Sequence, residues 1–109
     1  MTLVHVTRWF RKTATIQKYR TADEYVEPVA TGSTFTARCM VVVPKNLIRR
    51  VGSVERTIKA VFYLPLGTDV TIGDRIAEGN PPAAADYQEI IALDTPENHR
   101  EASHIEAMT

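Results

Sequence analysis

Residues 58–76, IKAVFYLPLGTDVTIGDRI, set the architecture. Ile58, Ala60, Phe62 and Leu64 fall on one side of a period-two pattern, and Thr57, Lys59, Val61 and Tyr63 on the other. Alternation this rich in β-branched and aromatic side chains predicts a strand. Pro65 ends it, because proline has no N–H to give to a ladder. Gly67 offers a turn, Val70 and Ile72 open a second short run, and Gly73-Asp74 offers another turn before Ile76. Strand, turn, short strand and turn in so short a span predict a mainly β chain folded as a small antiparallel β-barrel.

Working outward, residues 56–64 read as one strand entered from a hairpin turn at Gly52-Ser53. Upstream, FTARCMVVV at 35–43 is the most apolar segment and reads as a central strand, with 40–43 buried on both faces. Pro44-Lys45-Asn46 breaks it and starts a long inter-strand loop. Residues 3–10 read as a first strand, 13–19 as a second, 21–24 as a loop and Gly32-Ser33 as a turn. Pro28 confines 25–29 to a sheet edge. Downstream, NPPAAA at 80–85 is a loop, and 87–93 a strand closed by Asp94-Thr95-Pro96. Over 97–108 helix and strand both stay open. Asp94 or Thr95 would cap a helix with Pro96 in its first turn, yet His104 to Met108 alternates. The extended C-terminal tail, 95–109, is suited to ordering on contact with neighbours.

A chain of 109 residues forms one domain and buries roughly 65% of its unfolded surface. No apolar run approaches the roughly 18 residues of a membrane-spanning helix. The start, MTLVHVTRWF, lacks the features of a secretory signal. The single cysteine, Cys39, reads as a buried, inert thiol, and a reducing folding environment is expected. Net charge is zero but unevenly placed. Residues 1–60 hold eleven Lys/Arg and four Asp/Glu, and residues 61–109 hold two and nine. Either these charges spread over one surface, or the domain has a basic and an acidic face that bring copies together head to tail.

No catalytic or metal constellation stands out, so neither an enzyme nor a cofactor is expected. His99 and His104, beside Glu97 and Glu101, are five residues apart, whereas a helical zinc pair needs four. Ser33, Ser53 and Ser103 sit in turn or tail positions without a nucleophile elbow. Gly67, Gly73 and Gly79 make no phosphate loop. The basic cluster is more informative. Lys45, Arg49, Arg50, Arg56 and Lys59 straddle the Gly52-Ser53 turn with Glu55 as their only acid. Such a hairpin suits phosphate through counterion release, or is an ordinary solvated loop. An alternative is an oligonucleotide-binding-type β-barrel module, with Trp9, Phe10 and Tyr19 as stacking aromatics.

In order and spacing, the chain resembles the head-to-tail stopper, or head-closure, proteins of tailed bacteriophages. The resemblance rests on VTRW, TATIQKY, FTARCMVVV, the hairpin at Gly52 to Glu55, TIKAVFYLP followed by VTIGDRI, then YQEI and His104-Ile105-Glu106. The NPPAAADY loop is longer than that pattern's tight turn. The resemblance implies a virion protein, made and assembled in the bacterial host cytoplasm, with no membrane association. It implies a homohexameric ring in the phage neck. A head–tail adaptor would lie above it, a tail terminator or tail tube below, and packaged double-stranded DNA in the channel. On that basis residues 44–55 are the channel loop, and Lys45, Arg49, Arg50 and Arg56 the candidates to face DNA. Trp9, Phe10, His104 and Glu106 are candidates for the subunit or partner interface.

Overall fold

One long strand, residues 29–42, pairs with residues 12–20 along most of its length and with residues 61–63 at its end. The computed structural model describes residues 10–20, 29–95, 97–98, 101–102 and 104–109. The expected strand at 3–10 (but for Phe10), the loop at 21–24 and most of the edge strand at 25–29 lie outside the described residues. So do Trp9, Pro96 and His99.

The described strands are β1 (Lys12–Arg20), β2 (Val29–Val42), β3 (Ile48–Val51), β4 (Val54–Thr57), β5 (Val61–Leu64), β6 (Arg75–Glu78), β7 (Gln88–Glu89), β8 (Ala92–Asp94), β9 (Glu97–Asn98), β10 (Glu101–Ala102) and β11 (Ile105–Met108). Seven form one curled antiparallel sheet in the order β7-β6-β1-β2-β5-β11-β8. Its two edges, β7 and β8, are the two halves of one bent segment. The Ile90 N–H donates to the Asp74 carbonyl at 2.8 Å, and the next N–H, of Ile91, donates to the Met108 carbonyl at 2.8 Å. The segment thus leaves the β6 side and joins β11 within two residues. The sheet is thereby curled into a half-barrel, a small β-barrel-like fold whose two edge strands are consecutive in the chain.

The main core lies inside this curl. Ala14 and Ile16 of β1, Cys39 of β2, Phe62 and Leu64 of β5, Ile76, Ile90 and Ala107 pack together. The period-two reading therefore holds for Phe62 and Leu64. It fails at Ile58, which belongs to a second cluster with Val61, Ile91, Ala92 and Met108. The expected strand 56–64 is two strands, β4 and β5, in different sheets. The chain changes partner between them: Ile58 N–H donates to Leu47 O, whereas Ala60 O accepts from Thr109 N–H.

Other expectations are corrected in the same way. Gly32-Ser33 is not a turn but lies within β2. Gln17 pairs with Thr34 and Tyr19 with Ala30, so 31–33 face Lys18 alone, which is a bulge. Residues 40–43 are not buried on both faces, since Val43 is 74% exposed. Val70 and Ile72 form no strand; they belong to a loop whose turns are closed by Gly67 and Gly73, both at positive φ. The segment 87–93 is interrupted at Ile90-Ile91, as described above. The tail resolves to strand: β11 lies between β5 and β8, and Ala107 is fully buried. Residues 105–109 are therefore part of the barrel wall, not a peripheral extension.

Two cations close the ends of the buried stripe on β1. Lys12 pairs with Glu78 at 3.3 Å, largely in solvent. Lys18 pairs with Asp74 at 2.7 Å, and the Asp74 side chain has no exposure at all. Asp74 also accepts from Tyr19 N–H at 3.0 Å, Thr71 N–H at 2.9 Å and the Thr71 hydroxyl at 3.1 Å. It thereby fastens the turn before β6 to β1. Burial alone raises its pKa, but the hydrogen bonds from Lys18, Tyr19 and Thr71, with the Lys18 charge, hold it below the ordinary carboxylate range.

Candidate functional site

The basic residues collect on a two-stranded ribbon. Pro44-Lys45-Asn46 turns the chain out of β2, with Asn46 in the left-handed region at φ 57°. The ribbon then pairs Ile48 with Thr57, Arg49 with Arg56, Arg50 with Glu55 and Val51 with Val54. Two residues, Gly52-Ser53, make the turn, and Gly52 takes φ 65° as such tight hairpin turns require. The ribbon pairs with neither β2 nor β5, the strands between which it is inserted. All four β4 residues are exposed.

This register divides the candidate cations. Along β3 exposure alternates, with Ile48 and Arg50 outward and Arg49 and Val51 half-buried. Val51 packs on the second cluster. Arg49 reaches Asp94 of β8 at 3.7 Å and the Met108 Sδ at 3.5 Å. Arg49 thus contacts its own barrel, with its side chain still 38% exposed. Arg50 faces solvent, with Glu55 at 3.9 Å across the ribbon. Lys45 and Arg56 are exposed, and neither has an ion-pair partner among the described residues. Arg56 also lines an open groove of about 350 Å³ with Lys59, Gln88, Glu89 and Thr109.

The interface candidates separate too. Phe10 is 3% exposed, so its ring is buried in its own chain, and its carbonyl accepts from Arg38 Nε at 3.1 Å. His104 and Glu106 are engaged with each other at 3.0 Å. The His104 ring stacks on Tyr63 with centroids 4.8 Å apart. Burial, and then the Glu106 charge, raises the Tyr63 pKa. Tyr19, a stacking candidate, has Arg75 over its ring at 4.9 Å. Burial pushes the Cys39 thiol up to about 11, with Glu78 adding to it, so it stays protonated and unreactive near neutral pH.

The charge reading overlooked the apolar side chains beside the cations. Val43, Leu47 and Ile48 are all exposed at the base of the ribbon. The signal was present, since a two-residue turn at Gly52-Ser53 fixes Ile48 and Arg50 on one face.

No family model, no curated protein and no solved structure matches the chain.

Proposed function

We propose that the chain is a structural protein of the virion neck. Copies of it form a ring between the portal-bound adaptor and the tail, close the DNA-filled head and offer the surface on which the tail docks. One observation carries the assembly part of this reading. A separate ribbon is inserted between two central strands of the curled, barrel-like sheet and presents Lys45, Ile48, Arg50 and Arg56 to its surroundings. An arm that buries so little within its own chain is organised for contact with something else. The virion setting rests on the resemblance of the order of segments to that of stopper proteins. In that ring Lys45, Arg50 and Arg56 face DNA or a neighbouring subunit, while Arg49 holds the ribbon to the barrel through Asp94.

The test is charge reversal at Lys45 and Arg50 together, in the phage that encodes the chain. Both side chains are exposed, so the isolated fold should change by no more than about 0.5 kcal/mol. The expected result is filled heads that lose DNA or fail to join tails, with a fall in infectious titre. Normal titre and normal DNA retention would remove the ribbon from any role in the channel.

A further inference from the structure

Among the described residues, the large apolar side chains that stand exposed fall on two stretches of the chain, called patches below. One is the ribbon and its base, with Val42, Val43, Leu47, Ile48 and Val54. The other is the loop after β5, with Leu66 and Ile72. Single exposed apolar residues need no explanation, but clustering marks a contact surface.

The patches lie toward opposite ends of the same strand pair. Val42 sits opposite Val61, where β5 begins, and Leu66 follows Pro65, just past where β5 ends. The four residues of β5 separate them by roughly 13 Å at about 3.3 Å each. Their charges differ in sign. The ribbon patch carries Lys45 and Arg50 against Glu55. The loop patch carries Asp69, whose side chain is 82% exposed although Lys18 approaches it at 3.5 Å. A positive apolar patch does not complement itself, nor does a negative one.

We propose that the two patches meet in successive copies of the chain, the ribbon patch of one seated on the loop patch of the next. Ile48 and Leu47 then cover Leu66 and Ile72, and Lys45 or Arg50 approaches Asp69. Such a contact is heterologous and continues from copy to copy, giving a ring where the rotation between copies closes. This rests on the assembly part of the reading above. Purified protein alone tests it, so its failure is distinguishable from absence of the protein from virions.

Two variants separate the surfaces. Ile48→Asp removes the ribbon patch and Ile72→Asp removes the loop patch. Both positions are more than half exposed, and circular dichroism verifies that each variant is folded. Val43→Asp and Leu66→Asp provide a second pair. Sedimentation velocity should show wild-type protein self-associating as its concentration rises and each variant remaining monomeric. An equimolar mixture should give a dimer and nothing larger, because each variant keeps the patch that the other has lost. A monomeric wild type at every concentration would overturn the proposal. So would self-association of either variant alone, or a mixture that stays monomeric.

Discussion

Replacing Asp74 with alanine is expected to destabilise the protein by about 2–4 kcal/mol at pH 7, measured by chemical denaturation. The carboxylate is buried and accepts from Lys18, Tyr19 N–H and the backbone and hydroxyl of Thr71. Its loss removes this acceptor from two backbone donors, the Thr71 hydroxyl and the Lys18 ammonium. Lys18 is 20% exposed and keeps the Asp69 carbonyl at 3.1 Å, which holds the cost below that of a wholly buried orphan charge. The effect also carries a pH signature. The folded-state pKa of Asp74 lies below its unfolded value. Its stabilisation is therefore complete above the ordinary carboxylate value of about 3.9 and is lost as pH falls through the folded pKa. Wild type and Asp74→Ala should converge in stability as the solution is acidified below pH ~4. Equal stability at pH 7 would show that the latch contributes nothing.

The second large effect is expected at Ile90. Ile90→Ala should cost about 2–5 kcal/mol, the range for truncating a fully buried aliphatic side chain. Ile90 is fully buried in the main core, at the bend where one segment supplies both edges of the sheet. Its N–H and C=O bond Asp74 and Gly73, so the cavity would open where the barrel closes. The exposed Ile72 is the control, and its truncation should change stability by no more than about 0.5 kcal/mol. Comparable losses at the two positions would contradict closure through Ile90. Because Ile90 N–H bonds the Asp74 carbonyl, the two large effects should not add.

What the sequence discloses follows the range of the interactions involved. Phe62 and Leu64 declare a strand because alternation is local. Gly52-Ser53 declares a hairpin because a two-residue turn has few solutions. The break between β4 and β5 is invisible, because alternation runs on through Ile58 to Ala60 while the hydrogen-bond partners change from Leu47 to Thr109. Gly32-Ser33 gives a turn signal, but the fold places it inside β2, in the bulge opposite Lys18. The tail alternates visibly from His104 to Met108. Its place between β5 and β8 depends on pairing with residues more than forty positions upstream, which local pattern does not encode. Asp74 reads as a turn residue, and it does close the Thr71 turn. Its part as a latch depends on Lys18, fifty-six residues away.

The candidate site divides along the same line. The cations and their hairpin are legible from composition and turn chemistry. Their division is set by register and by Asp94 on a distant strand, which draws Arg49 inward and leaves Arg50 outside. Phe10, a candidate for the interface on the resemblance and for stacking on bases, is buried in its own chain.

The proposed neck assignment is tested most directly by quantitative mass spectrometry of tailed-phage virions produced from a genome that carries this gene. A single six-fold ring predicts about six copies per particle. Their loss should leave filled heads that leak DNA and remain unjoined to tails. Virions that lack the protein yet hold their DNA and carry tails would contradict it.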